Sequence, residues 1–476
     1  MSSSLLNANV RLMSGDDELQ HIPDVLLSSS LPSMVNARLS HQSVSTMNGN
    51  IIPIISSGTR IDFVLPTGLG SGVIKSKSCY VSMGLTFTGP TGGQYTYWTN
   101  PLAGTSSLIN RVEIRAGGEL IDTLLDADKT SNYLQTNFGN PQFNATDQNV
   151  VFGGNCTECA PIMASSIGGQ SMASAQASGL NILNGIAPSN TVPFNINIPI
   201  LSGLFNNQKS FPMYLLESAL TVSIYMNDLI TAFTQSGLNL TSYTVNNATF
   251  CFSRVHIEED IAQAVKASMR EQGAIYNLDF IGYSNYRASM PQGGGLTYIM
   301  TPHVKSLLGL VCLPITVSQE VQSIAMKFPL LPFNSTNPNF NIQVYLDEQK
   351  LLQYNVDTLD KICLESKRLA KLAYNTNVCP SWIDDTRGLS VTNGKISTSL
   401  LNSQLNGSPS YTQGNFSIGF NTCRFMDADI GYAGTKVDTV RFQLDGQAWA
   451  DFNMYFILIH SACLSIDGNG RCRVDK

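Results

Sequence analysis

Val112–Ile121 reads VEIRAGGELI, and Ile342–Leu351 reads IQVYLDEQKL. In the first stretch Val112 and Ile114 alternate with Arg111, Glu113 and Arg115. Gly117-Gly118 then breaks the run, and Glu119-Leu120-Ile121 opens another. In the second, Ile342, Val344 and Leu346 alternate with Gln343 and Tyr345, Asp347-Glu348 turns the chain, and Gln349-Lys350-Leu351 follows. Period-two alternation places apolar side chains on one face of a strand, so each stretch is a strand, a turn and a short strand. A helix candidate follows each, from Asp126 and from Asp357. The next blocks correspond in the same order: Phe194 to Ile200 with Phe416 to Phe420, then Leu220 to Met226 with Val440 to Leu444. The offset stays at roughly 220 residues, and what recurs is the pattern of elements rather than residue identity. Two tandem copies of one β-rich domain follow, with the joint near Ala262 to Ala274.

Further strands fill both copies. Val81, Met83, Leu85 and Phe87 alternate with Ser82, Gly84, Thr86 and Thr88, and Thr249 to Val255 closes the first set. Tyr298 to Ile315 holds one or two strands, and Met454 to Ile459 is a continuous apolar run suited to a strand buried on both faces. Gly- and Asn-rich turns between many short strands indicate sandwiches or barrels, an all-β class with few helices. One helix is expected over Asp126 to Asn137, with Asp126 or Asp128 as N-cap. Another is expected over Asp357 to Ala373, with Ile362, Leu369 and Leu372 on one side and Lys361, Glu365, Arg368 and Lys371 largely elsewhere. Its basic face is either a phosphate or acidic-partner contact or a solvated surface.

The chain of 476 residues suits two domains. Residues 1–50, rich in Ser, Asn and Pro, read as an N-terminal arm. The first domain is expected over 51–265 and the second over 266–476. Residues 163–190, rich in Gly, Ser and Ala, read as an insertion loop of the first, a protrusion or a contact arm. Charged residues make up 13% of the chain, against roughly 25% in average soluble proteins. Interface cores are depleted in charge, so the composition fits either extensive subunit contact or simply many polar turns. Net charge is −6 with no basic run, so strong nucleic-acid binding is not expected. The N-terminus lacks the apolar core of a secretory signal, and the longest apolar stretch, around Leu307 to Ile315, is about half of what a membrane-spanning helix needs. Synthesis in the cytosol is therefore expected, and the sequons at Asn144, Asn239 and Asn415 read as loop composition.

No catalytic, cofactor-binding or metal-binding residue is assigned. His21, His41, His256, His303 and His460 form no ligand spacing. Cys156 and Cys159 are a lone CxxC, whereas a structural zinc needs four ligands. Gly169-Gln170-Ser171-Met172-Ala173 lacks the last Gly of a nucleophile elbow and its strand-to-helix setting. Gly388 to Lys395 departs from a phosphate loop in length and in Ile396. Asp427 and Asp429 read as solvated turn residues. Asp467-Gly468-Asn469-Gly470 reads as a hairpin turn rather than a calcium loop. Most of the ten cysteines, such as Cys79, Cys251, Cys312 and Cys363, sit in strand-like runs as buried thiols. Cys463 and Cys472 flank the hairpin turn, and a disulfide across it is left open.

The blocks in order resemble the major capsid proteins of polinton-like viruses, virophages and related double-stranded DNA viruses of eukaryotes. The resemblance is carried by Ser107-Leu108-Ile109-Asn110-Arg111-Val112-Glu113-Ile114 with Gly117-Gly118, by Ile198-Pro199-Ile200 leading to Gly203-Leu204-Phe205, and by Phe211-Pro212-Met213. It continues in Phe416-Ser417-Ile418-Gly419-Phe420, in Gly434 to Thr439, and in Tyr455 to His460 with the Leu464-Ser465-Ile466-Asp467 hairpin. It spans about residues 55 to 475, excluding the arm and the 163–190 insertion. It implies two eight-stranded antiparallel jelly rolls side by side, a homotrimer forming a pseudo-hexagonal capsomer, and an icosahedral virion shell. Itself, neighbouring capsomers, and penton and minor capsid proteins are the implied partners, with no cofactor and no enzymatic activity. The rival readings are a minor capsid, penton or spike protein, and a tandem jelly-roll carbohydrate-active or carbohydrate-binding protein. Trp98, Trp382 and Trp449 are too far apart in sequence to suggest the sugar platform of the last.

Overall fold

The computed structural model describes residues 38–88, 96–99, 104–138, 194–207, 209–236, 241–321, 329–333, 340–369, 390–392, 395–397, 416–423 and 434–476. The first unit contains β1 (Arg38–Ser45), β2 (Thr59–Leu65), β3 (Tyr80–Thr88), β4 (Ile109–Ala116), β5 (Glu119–Leu124), β6 (Phe194–Pro199), β7 (Leu220–Met226) and β8 (Ser242–His256). They pair as β1-β8-β3-β6 in one sheet and β2-β7-β4-β5 in the other. The second unit contains β9 (Ile275–Met290), β10 (Leu296–Met300), β11 (Val304–Thr316), β12 (Phe340–Leu346), β13 (Gln349–Lys350), β14 (Ile418–Asn421), β15 (Val440–Gly446) and β16 (Phe452–Asp467). They pair as β9-β16-β11-β14 and β10-β15-β12-β13, the same order with every index raised by eight. First and last strands lie side by side, and successive strands alternate between sheets except at the β4-β5 and β12-β13 hairpins, which is the jelly roll.

Period two decides which residues enter each core. Val81, Met83, Leu85 and Phe87 of β3 are buried among the first unit's apolar residues, while Ser82 and Thr86 are half-buried on the other face. β16 departs from this rule as its sequence requires. Phe452, Met454, Phe456 and Leu458 face the second core, and Tyr455, Ile457 and Ile459 are buried on the opposite face.

β9 and β16 are 16 residues each and stay in register from Ile275↔Asp467 to Met290↔Phe452. At about 3.3 Å per residue this ribbon is about 50 Å long. Its Met290, Phe452 and Phe456 end belongs to the second core. Its Tyr276, Leu278, Phe280, Ala462, Leu464 and Ile466 end is buried in the first. α2 (Glu259–Gln272) joins the units, with Glu259 and Asp260 in its first turn and Arg270 in its last, charges that complement the helix dipole. Gly273, at φ 65°, ends it, and the Ala274 N–H donates to the Met269 carbonyl at 2.9 Å. The division expected between 265 and 266 falls inside this helix.

Two expectations are corrected, and one question left open is decided. The arm expected over residues 1–50 does not extend that far, because Arg38–Ser45 pairs with β8 and Ile51–Ile54 follows it. Cys463 pairs with Asp475 and Cys472 with Ile466, so the thiols sit three rungs apart. That separation is about 10 Å along the strand, too far for a disulfide; both are free and burial pushes them up to about 12. Glu365, expected away from the apolar side of its helix (α3, Leu359–Leu369), is buried, and its carboxylate accepts from the Tyr354 hydroxyl and from Arg368. The rest of the expected 357–373 helix beyond Leu369 lies outside the described residues, as do residues 1–37 and the 163–190 insertion.

The loop after β6 meets the ribbon at Gly203, where a Cβ would lie 1.7 Å from the Ile281 carbonyl oxygen. Beside it, buried Asp122 accepts from Ser202 Oγ at 2.6 Å. Gly203→Ala is expected to cost about 3 kcal/mol or more through overpacking against the backbone. Chemical denaturation of the purified variant checks this; unchanged stability would contradict the close approach.

Candidate assembly surface

The second contact between the units is α1 (Ala127–Phe138) lying on the face of β11 and β16 that points away from the second core. Tyr133 is buried there against Val311, Leu313, Ile315, Tyr455, Ile457 and Ile459. Charge enters this seam in compensated form. Lys129 pairs with Asp128 and lies 5.2 Å from the centre of the Tyr455 ring, with Arg287 5.1 Å from the same ring. The Tyr455 hydroxyl and the Asn453 amide donate to Glu320, which also meets Arg287 at 3.2 Å. Asn285 Nδ2 donates to Thr130 Oγ1 at 2.9 Å and to the Leu125 carbonyl. Burial lowers the Lys129 pKa, but Asp128, Glu320 and Asp126 outweigh it and hold the ammonium above its ordinary value.

The remaining sheet faces differ in chemistry. The outward face of β2-β7-β4-β5 is charged. Glu113, buried, sits between Arg111 and Arg115 and accepts from the Tyr225 hydroxyl at 3.2 Å, while Arg60 meets Asp62 at 2.7 Å. The outward face of β10-β15-β12-β13 carries Arg441, stacked 4.1 Å over Tyr345, and Asp445. The outward face of β1-β8-β3-β6 presents Ser, Thr and Asn rows. Gly84 pairs with Asn195 on one side and Asn246 on the other, and Asn246 Nδ2 donates to Thr86 Oγ1 at 3.1 Å. A bulge after Asn246, with Asn247 at φ 48°, opens a shallow pocket of about 180 Å³ lined by Ser82, Met83, Gly84, Asn195, Asn246 and Asn247.

The residues weighed for chemistry are dispersed. His41 is exposed, 3.0 Å from Ser253 Oγ; His256 lies beside Arg254; His303 is exposed, 3.7 Å from Asp438. His460 is buried against Ser284 Oγ at 3.0 Å, and burial lowers it to about 4. Asp467 Oδ1 accepts from the Asn469 and Arg471 N–H groups, so the 467–470 segment is a hairpin turn. Ser390–Thr392 and Lys395–Ser397 pair as two short strands. Trp449 donates to the Leu331 carbonyl at 2.7 Å and packs on Phe452. His21, Cys156, Cys159, Gly169 to Ala173, Trp382, Asp427 and Asp429 lie outside the described residues. Among the described residues no group of three His, Cys, Asp or Glu could hold a metal ion, and no helix is long and apolar enough to cross a membrane. What the sequence reading did not find is the Lys129–Asp128–Glu320–Arg287 seam, whose members come from elements far apart in the chain.

Asp126 opens α1 at φ 44°, a left-handed conformation that Asn also tolerates. Burial first, then Asp128, raises its carboxyl from 3.8 to about 6, with Lys129 and Arg287 opposing and Glu320 adding. A raised carboxyl pKa means that the folded state favours the protonated form. Its contribution is full below pH 3.8 and is lost as pH rises through about 6. Asp126→Asn is therefore expected to be more stable than the unaltered chain at pH 7, by about 2 kcal/mol. The gap should close below pH 4, and urea unfolding at both pH values measures it.

No protein-family model matches the sequence. No curated protein matches it. Solved structures do. A chain of the Sputnik virophage cryo-EM structure is similar over 98% of this chain and 91% of its own, at TM-score 0.53 and 11% identity. The PBCV-1 virus capsid, as a quasi-atomic model, is similar over 92% and 97%, at TM-score 0.52 and 8% identity. The mavirus major capsid protein is similar over 98% and 94%, at TM-score 0.50 and 11% identity. At such identities the likeness is one of fold, and it runs through both units: the chain has the double jelly-roll architecture found in these viral capsid structures.

Proposed function

We propose that this chain is a major capsid protein, a structural and non-catalytic subunit of the icosahedral virion of a double-stranded DNA virus. The observation that carries the reading is the pair of like-ordered jelly rolls joined by one shared ribbon. The mavirus major capsid protein is similar over 98% of this chain, which supports it. In this reading three copies form a pseudo-hexagonal capsomer from six jelly rolls, the first ending near residue 265 and the second beginning near 266. Residues ahead of β1 act as an arm, and the 163–190 segment as a contact loop. Neighbouring capsomers, pentons and minor capsid proteins are the partners, met in the virion after synthesis in the host cytoplasm.

Assembly, rather than chemistry, is the work. Each contact between subunits is weak, and repetition over a closed shell makes the whole stable. The net charge of −6 supports a shell that encloses its genome without gripping it.

Light scattering on the purified protein tests the proposal. A trimer of 51.6 kDa chains has a mass of about 155 kDa, and negative-stain images of that peak are expected to show hexagonal outlines. A monomer at every concentration, with no hexagonal particles, would overturn it.

A further inference from the structure

We propose that Asn48-Gly49 is a site of spontaneous modification in the folded protein, where the side-chain amide becomes a carboxylate with aspartate and isoaspartate as products. The inference does not rest on the capsid reading. The chemistry is intramolecular. Solvent base takes the proton of the Gly49 N–H, the freed nitrogen attacks Asn48 Cγ, the Cγ–Nδ2 bond breaks, and ammonia leaves with a proton returned by water. Water then opens the resulting succinimide at either carbonyl. Glycine on the C-terminal side suits the attack because it has no Cβ to obstruct it. Chain and water are the only reactants, so the fold governs the rate by exposing the attacking nitrogen and holding the amide.

Two Asn-Gly pairs lie among the described residues, and the structure treats them oppositely. Asn48 and Gly49 are both exposed in the turn between β1 and the Ile51–Ile54 strand. The Gly49 N–H meets no acceptor among the described residues, and a Cβ on Gly49 would find nothing within 4 Å. The amide beside it is held in place. Asn48 Oδ1 accepts from the Asp62 N–H of β2 at 2.6 Å and from the Thr46 hydroxyl at 3.2 Å. Negative charge gathers on this oxygen when the nitrogen adds, and donors already aimed at it stabilise the intermediate. At the second pair the Gly470 N–H donates to the Asp467 carbonyl at 2.9 Å. Gly470 is also buried, and a Cβ there would lie 2.7 Å from Glu217 N and from the Leu215 carbonyl oxygen. Attack at Asn469 therefore requires that hydrogen bond to break and the hairpin to lift off the first unit.

The two products differ in what they do to the sheet. The Met47 N–H donates to the Asp62 carbonyl at 2.9 Å, and the Asn50 carbonyl accepts from the Asn247 N–H at 2.8 Å, so the turn is tied on both sides of position 48. Isoaspartate carries the main chain through the former side chain and adds a methylene between these ties. The extra length loosens the pairing of Arg38–Ser45 or of Ile51–Ile54 with β8, since both run along that one strand. Aspartate keeps the main chain as it is and leaves an oxygen to accept from the Asp62 N–H. Its new charge lies beside Asp62, whose own carboxylate is met by Arg60 at 2.7 Å.

The test needs no variant to fold. The purified full chain is held at mildly alkaline pH, and peptide mass spectrometry follows amide-to-acid conversion at positions 48 and 469, with isoaspartate told from aspartate by fragmentation. In the folded protein Asn48 is expected to convert several-fold faster than Asn469. In the chain unfolded by guanidinium chloride both pairs keep only their dipeptide chemistry, and the two rates are expected to converge. Equal rates in the folded protein, or faster conversion at Asn469, overturn the proposal. A difference that persists unchanged in the unfolded chain overturns it as well, because the fold is then not its source. Either failure leaves the capsid reading standing, since oligomer mass tests that separately.

Discussion

Sixteen rungs of antiparallel pairing between β9 and β16 hold the molecule to one arrangement. One end of this ribbon is a sheet edge of the second jelly roll, and the other is a wall of the first core, where Leu278, Leu464 and Ile466 are fully buried. Neither core is complete without it. A register slip of one residue would turn every apolar side chain to the wrong face at both ends together, so each core fixes the register for the other. The angle between the units is therefore set by backbone hydrogen bonds rather than by a hinge, and α1 on the opposite side adds a second, apolar contact.

The distribution of charge follows from the same constraint. At the seam, where packing is permanent, ions are tolerated only as a closed set: Lys129 with Asp128, Arg287 with Glu320, and Tyr455 between them. Removing one partner from such a set leaves its mate buried and unpaired, which costs far more than the pair contributes. Asp126 lies at the edge of this set, and burial first, then Asp128, raises its carboxyl pKa against the pull of Lys129 and Arg287. Elsewhere charges line the outward faces of the small sheets, while the outward rows around β3 in the first unit's large sheet carry mainly hydroxyls and amides. The low charged fraction of the whole chain, ambiguous as composition, has a location here.

Much of this was legible in the sequence. Period-two runs such as Val81 to Phe87 and Leu220 to Met226 mark strands because one face of each is buried and the other wet. The repeat of VEIRAGGELI by IQVYLDEQKL marks β4-β5 and β12-β13, which occupy equivalent places in the two units. The longest strand of the second unit's edge was not found. Ile275 to Met290 alternates only over Tyr276, Leu278 and Phe280 before changing core, and its outward Ile275 and Ile281 blur the period. Arg38–Ser45 reads as arm because an edge strand with largely polar, half-wet faces carries no amphipathic signal. Glu365 reads as surface in any helical wheel; only the tertiary placement of Tyr354 and Arg368 makes its burial tolerable. The seam cluster and the uncharged face are both products of which strands neighbour which, and pairing is not written in any local window.

The shared ribbon also has a consequence for the order of events during synthesis. β16 is the last long strand in chain order, yet its Ala462, Leu464 and Ile466 complete the core begun by β2 and β3. The first domain to emerge from the ribosome cannot finish folding on its own, because a wall of it is translated after its companion. Such long-range pairing is slow to form and leaves apolar surface open in the meantime, which makes the nascent chain a client for chaperones. The same delay means that a polypeptide interrupted before β16 has two unfinished cores rather than one good domain.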